Sequence, residues 1–221
     1  MEIVYQDKRI VVAVKPAGIL STDEPGGMPS LLRQALGSDC IRTVHRLDAQ
    51  TGGLMVFARS RAAAALLSQQ VREGQFRKEY LAAVHGTPQP SGGEMRDLLG
   101  RDKARRITYV ADAPSAEVRE ARLEYRVLER TDTLSLVRIR LHTGRTHQIR
   151  VQFAARGMPL AGDRKYGTAE EFAVPLALWA CHLAFTHPES GERMDFVRLP
   201  PPQEPWTQFD RAAMERNIKN G

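Results

Sequence analysis

The 221-residue chain is predicted to adopt a mixed α+β fold dominated by antiparallel strands, and three features carry that expectation. Ala121-Arg122-Leu123-Glu124-Tyr125-Arg126-Val127 and Leu134-Ser135-Leu136-Val137-Arg138-Ile139 follow the alternation of antiparallel strands with one wet face. Leu54-Met55-Val56-Phe57-Ala58 is a short unbroken apolar run, consistent with a buried strand. Ser60 precedes a helical pattern over Ala64, Leu67 and Val71 that stops at Gly74, so a capped helix is expected there.

The other elements follow in chain order. Val11-Val12-Ala13-Val14-Lys15-Pro16-Ala17-Gly18 reads as a buried strand entering a Pro-Gly turn. Lys78-Glu79-Tyr80-Leu81-Ala82-Ala83-Val84-His85-Gly86 reads as a further strand. Thr87 to Gly93, with Pro88, Pro90, Gly92 and Gly93, is a turn-rich connection. Arg101, Lys103, Arg105 and Arg106 make a basic hairpin or loop beside the strand Ile107 to Val110. Thr143 or Thr146 can cap a helix through Gln148, Ile149 and Phe153 that stops at Gly157. Ile149 and Phe153, four apart, face its core side. Pro200-Pro201-Pro202 is a short, stiff lead into a final amphipathic helix carrying Trp206, Phe209 and Ala213.

The length suits one large domain or two small ones, with a substantial core. No linker, repeat or long low-complexity tract separates two parts, so a single domain over residues 1–221 is expected, with no accessory module ahead of it. The 32 Lys and Arg against 26 Asp and Glu give a net charge of +6, which favours polyanions over membranes as partners. The start, Met1-Glu2-Ile3-Val4-Tyr5-Gln6-Asp7, lacks a signal peptide's basic flank and apolar stretch, and no later segment is long enough to span a bilayer. Cys40 and Cys181 provide no disulfide framework and suit a reducing compartment. A cytoplasmic monomer is expected.

Several chemistries lack their signatures. His142 with His147 and His182 with His187 share a five-residue spacing, but neither a close Cys pair nor an HExxH helix accompanies them, so no metal is expected. Walker loops, dinucleotide glycine fingerprints and the G-x-S-x-G elbow are absent too. Glycosidic hydrolysis needs two acids. What remains is one carboxylate in a Gly-rich loop, His45-Arg46-Leu47-Asp48-Ala49-Gln50-Thr51-Gly52-Gly53-Leu54, and one guanidinium at a helix start, Leu141-His142-Thr143-Gly144-Arg145-Thr146-His147-Gln148-Ile149-Arg150.

These two segments resemble motifs of the RluA-type RNA pseudouridine synthases, which isomerise selected uridines of structured RNA. The likeness extends over nearly the whole chain: Val11 to Gly18 looks like the family's first motif, Lys78 to Gly86 its tyrosine motif, and Leu178 to Pro188 its penultimate strand and turn. It implies a bent, mostly antiparallel mixed sheet flanked by helices, with a central active-site cleft. It also implies Asp48 as nucleophile, Arg145 as its counter-ion, Tyr80 in the active site, a ribosomal or transfer RNA as substrate, and no cofactor.

The residue types fit that chemistry. Moving uracil from an N1 to a C5 linkage needs no redox step, external water or energy input. Burial raises a carboxyl's pKa, and an adjacent Arg, always charged, reverses the trend. Each unit of that contest is worth about 1.4 kcal/mol. Tyr80 has two candidate roles, which the sequence leaves open. Its ring can stack on the turning uracil, a contact worth about 1–3 kcal/mol, or its hydroxyl can remove the C5 proton. A plain core aromatic is the third reading. Arg46 can fill the gap left by a nucleotide swung out of its stack, or make a loop salt bridge. Arg101, Lys103, Arg105 and Arg106 can follow RNA phosphates, or guard a sheet edge against aggregation.

Two positions depart from the pattern of the resemblance. Gly52 stands where Ser is common, and Trp179 where His is expected. The rival function is an RNA-binding protein with a chaperone-like role and no catalysis; the presence of Asp48, Tyr80 and Arg145 together argues against it.

Overall fold

A computed structural model describes residues 1–167 and 174–219. In chain order the elements are β1 (Glu2–Gln6), β2 (Ile10–Lys15), α1 (Met28–Leu36), β3 (Arg42–Thr43), β4 (Gly52–Ala58), α2 (Arg61–Arg72), β5 (Arg77–His85) and β6 (Gly92–Asp102). Then come β7 (Ile107–Val110), β8 (Arg119–Arg130), β9 (Leu134–Leu141), α3 (Gln148–Ala154), β10 (Leu178–Thr186), β11 (Arg193–Val197) and α4 (Arg211–Lys219). The fold is mixed α+β, with antiparallel pairing dominant. The chain divides into two compact units, Met1–Lys78 with Trp179–Pro200, and Glu79–Leu178 with Pro201–Gly221. Their boundaries fall inside β5 and β10, which is why no linker is visible in the sequence.

In the first unit β1 pairs with β2 and β2 with β4, all antiparallel, while β4 meets β10 in parallel at Gly52–Trp179 and Gly53–Ala180. Every residue of β4 is buried, as its unbroken apolar run predicts. Beside the strands lies α2, where Ser60 Oγ accepts the Ala63 N–H at 3.1 Å and Gly74 follows with φ +70°. This is the expected cap and stop. Ala63 and Leu67 of α2 join Ile10, Val12, Leu54, Val56, Phe76 and Phe185 in one core. A fully buried Leu such as Leu67 contributes about 2 kcal/mol.

In the second unit the strand order is β5-β9-β8-β6-β7, antiparallel throughout. Ile149 and Phe153 of α3 are buried as their spacing predicts, and Val151 packs on Leu99 and Ala121. Two expectations need correction. Neither Thr143 nor Thr146 caps α3; His147 precedes it in a left-handed conformation with no side-chain cap. The reason is Gln148, whose buried Oε1 accepts both the Arg145 N–H (3.0 Å) and the Thr143 hydroxyl (2.7 Å), folding the loop back on itself. The final helix is also shorter than expected. Trp206 and Phe209 are buried around a single 3-10 turn, and α4 starts only at Arg211. Asp210 sets that start, because its Oδ1 accepts the N–H groups of Ala212 (2.8 Å) and Ala213 (3.1 Å).

The other end of α4 is held by Arg138 of β9, which donates to the carbonyls of Asn217 and Ile218 and to Glu79 Oε2. A cation suits a helix C-terminus, where the carbonyls carry negative partial charge. Arg138→Met should cost about 3 kcal/mol or more, because Glu79 is buried and would lose its guanidinium. Urea unfolding of this variant measures the loss, and Arg138→Met with Glu79→Gln should recover part of it.

Candidate active site

The loop carrying Asp48 is pinned on both sides of that residue. Upstream, His45 Nε2 accepts the Val56 N–H at 3.1 Å, and Ser21 Oγ donates to the Leu47 carbonyl at 2.8 Å. Downstream, the Ala49 carbonyl accepts from Gly18 N–H (2.8 Å) and from Lys15 Nζ (2.9 Å), and the Asp48 carbonyl closes a turn onto the Thr51 N–H at 3.0 Å. Leu47 is buried, Asp48 half-buried and Arg46 exposed. The loop backbone is therefore held in one position. Such a loop holds a reacting group in register without help from the substrate.

Lys15 is the residue that sequence reasoning passed over. It is 0% exposed, yet its three N–H groups each find a carbonyl: Pro16 (2.9 Å), Ile19 (2.6 Å) and Ala49 (2.9 Å). Burial pulls its pKa down to about 8, and the nearby Asp48 carboxylate works against that pull. A signal was present in the sequence, since Val11-Val12-Ala13-Val14-Lys15 ends a wholly apolar strand on a charge. His45 is the opposite case. Burial, reinforced by the charge of Lys78, takes it down to about 3, so it is neutral and its Nε2 is free of the proton that would block the bond from Val56.

The two departures from the family pattern belong together. Gly52 and Trp179 are register partners, and a Cβ on Gly52 would lie 2.5 Å from Trp179 Cζ3. The indole cannot swing aside easily, because its Nε1 donates to the Arg198 carbonyl at 2.8 Å. Glycine at 52 is thus the consequence of tryptophan at 179. Gly53 is constrained by backbone alone: its φ is +121°, and a Cβ would lie 2.3 Å from the Ala180 carbonyl oxygen.

The second unit carries the other named residues. Tyr80 lies on β5 opposite Ile139 and is 6% exposed. Arg145 lies in the loop before α3, exposed, with its Nε donating to the Glu120 carbonyl at 2.9 Å. A second arginine of the same motif is placed differently. Arg150 is 7% exposed, bonds Asp163 through Nε (2.8 Å) and Nη2 (2.7 Å), and stands 5.2 Å from the centre of the Tyr166 ring. Burial alone would raise the Asp163 carboxyl; the Arg150 bonds and the N–H groups of Lys165 and Tyr166 hold it below the usual carboxylate range instead. Periodicity hides this arginine, because its apolar neighbours account for the helix by themselves.

Arg101, Lys103, Arg105 and Arg106 are all exposed at the β6–β7 hairpin, as the sequence predicts for a basic hairpin. Lys103 is partly balanced by Glu117 (3.2 Å) and Arg105 by Asp102 (3.8 Å). The histidines of the two spaced pairs have separate partners: His142 meets Glu124, His147 Tyr166, His182 Asp195 and His187 Asp7. No group of three or more metal-ligating side chains is found among the described residues, nor any helix long and apolar enough to cross a membrane.

Two measurements test this local architecture. Gly52→Ser should cost roughly 1–3 kcal/mol through overpacking, read by thermal unfolding, and Gly52→Ser with Trp179→His should recover most of the loss. The second concerns Lys15, whose folded pKa lies below its ordinary value near 10.5. Between pH about 8 and that value the unfolded chain binds a proton that the folded chain does not, so stability from this group rises with pH across the window. Wild type should therefore gain on Lys15→Met from pH 8 upward; a constant difference would place the ammonium at its ordinary value.

Known proteins resemble this chain over most of its length. The family model for RNA pseudouridylate synthase matches residues 9–155, which include Asp48, Tyr80 and Arg145. The dual-specificity RNA pseudouridine synthase RluA of Salmonella typhimurium is 36% identical over 207 residues, covering 88% of this chain and 90% of that protein. Ribosomal large subunit pseudouridine synthase D of Neisseria meningitidis is 35% identical over 216 residues, 89% of this chain but only 57% of its own length. The human RNA pseudouridylate synthase domain containing 1 structure superimposes with a TM-score of 0.81 at 25% identity, covering 99% of this chain and 93% of that one. The chain belongs to the RNA pseudouridylate synthase family, isomerases that convert uridine in RNA to pseudouridine.

Proposed function

We propose that this protein modifies uridine in a structured ribosomal or transfer RNA, with Asp48 as nucleophile and both units forming one catalytic domain. The observation that carries the assignment is the bracing of Asp48 by Ser21 on Leu47 and by Lys15 and Gly18 on Ala49. That expenditure of polar contacts on a short loop suits a carboxylate that must meet one atom of a flipped nucleotide. The name of the Neisseria relative refers to the ribosomal large subunit, which favours ribosomal RNA as the first substrate to try.

In the reaction the uracil N1–C1′ bond breaks, the base turns, and a C5–C1′ bond forms. The C5 proton leaves to solvent and N1 gains one, so no redox partner is required. Asp48 either bonds C1′ or removes a sugar proton to begin a glycal route. Tyr80 stacks on the base or takes the C5 proton. Arg145 is the counter-ion of Asp48, and Arg46 occupies the space the nucleotide leaves. Arg101, Lys103, Arg105 and Arg106 follow RNA phosphates. A second assignment of the counter-ion is favoured by burial: Arg150 is fixed and desolvated where Arg145 is exposed, and charge acts more strongly in a dry site.

Tritium release from RNA labelled at uridine C5, prepared from cells lacking the gene, tests the assignment. Wild type should release tritium and Asp48→Asn none; silence from both favours an RNA-binding role without catalysis. Tyr80→Phe should abolish release if the hydroxyl is the base and preserve most of it if the ring is a platform. Loss of the counter-ion should lower the rate at saturating RNA by about tenfold or more with RNA affinity little changed. That loss at Arg145→Ala supports Arg145, whereas its absence there and its presence at Arg150→Gln, in protein shown by thermal unfolding to be folded, assigns the role to Arg150.

A further inference from the structure

Asp163 to Tyr166 form a turn whose side chains hold three other segments of the second unit. Arg106 and His147, both with φ 54°, are the non-glycine residues of positive φ among those described. Left-handed backbone costs a side-chain-bearing residue roughly 1–2 kcal/mol, so each position needs something to hold it. The same turn holds both. Lys165 Nζ donates to the Arg106 carbonyl at 2.9 Å, and the Tyr166 hydroxyl pairs with His147 Nδ1 at 2.8 Å. Arg106 ends the basic hairpin tip, and His147 is the residue immediately before α3.

Tyr166 joins the two ends more directly. Its hydroxyl also accepts the Thr108 N–H of β7 at 2.9 Å, and its ring lies beneath the Arg150 guanidinium. One oxygen atom is therefore shared between the backbone of the basic hairpin and the entry to the helix that carries Arg150. Strained backbone gathers where geometry serves function. Here two such positions, one on each element, are secured by adjacent residues.

We propose that Tyr166 is a positioning residue for the isomerisation, coupling RNA phosphates docked on the Arg101–Arg106 hairpin to the arrangement of His147 and Arg150. The coupling rests on the docking role assigned to that hairpin above. Phosphates on the tip restrict the hairpin, the Thr108 N–H then fixes the Tyr166 hydroxyl, and that hydroxyl fixes His147. Lys165 reinforces the path through Arg106. Removing the hydroxyl leaves the ring under Arg150 and deletes only the shared atom.

A double-mutant cycle under single-turnover conditions tests this, using the tritiated RNA described above with filter binding for affinity and thermal unfolding for stability. One variant is Tyr166→Phe, the other Arg101→Ala with Lys103→Ala and Arg105→Ala. With wild type, hairpin neutralisation should weaken binding and also lower the rate at saturating RNA. Tyr166→Phe should lower that saturating rate by about three- to tenfold, the worth of one hydrogen bond, with affinity little changed and the melting temperature lowered by only a few degrees, so that the protein stays folded at the assay temperature. In the Tyr166→Phe background, hairpin neutralisation should weaken binding only. Equal loss of saturating rate in both backgrounds, no rate effect of Tyr166→Phe, or no effect of hairpin neutralisation on wild type would each overturn the coupling. Inactivity of wild type itself would instead overturn the assignment of Asp48 chemistry.

Discussion

An ammonium taken out of water costs several kcal/mol unless its hydrogen-bonding capacity is met, and Lys15 meets it with three backbone carbonyls. One of those carbonyls belongs to Ala49, the residue after Asp48. The first unit's arrangement follows from this constraint. β2 must end where its last side chain can reach back over the Pro16 to Ile19 turn, and the Asp48 loop must approach close enough to offer Ala49. Gly18 donates to the same carbonyl, with φ +90°, a value glycine adopts readily. A lysine that is structurally neutralised by carbonyl dipoles still contributes its positive charge to the field at Asp48.

The second unit solves a related problem with a different device. Arg150 is buried, but a carboxylate and not a set of carbonyls receives it, and Asp163 is in turn satisfied by the N–H groups of Lys165 and Tyr166. A buried pair of this kind adds little net stability against an apolar replacement, but it defines one geometry sharply. The aromatic ring of Tyr166 under Arg150 and its hydroxyl on His147 extend that definition to the helix entry. Arg145, only five residues away, has none of these constraints and reaches the Glu120 carbonyl at the surface.

Packing around β4 shows how two unusual residues make one ordinary contact. The strand is buried along its whole length, so any side chain added at Gly52 must displace something. What it would displace is the Trp179 ring, held by its own hydrogen bond. Substitutions at either position are therefore to be read as a pair, since residues in contact do not act additively.

The buried strands β2 and β4, the strands β5, β8 and β9, the Ser60 cap, the Gly74 stop, the basic hairpin and the loop bearing Asp48 were legible in the amino-acid sequence, because period, capping residues and turn glycines are local properties. By contrast, β1, α1, β3, β6 and β11 are not singled out there. The family and, through it, the reaction were legible as well. Asp48 could be singled out because its neighbours form a dense motif. Lys15 could not be given a role, for although Pro16 and Ile19 are its neighbours in sequence, its third acceptor Ala49 lies 34 residues away and only folding brings all three to one atom. The same holds for Gln148 in place of a threonine cap, for Arg150 against Asp163, and for the mutual fit of Gly52 and Trp179. Each is a contact between residues distant in sequence or a choice among competing local bonds, and tertiary packing alone decides which polar groups are buried together.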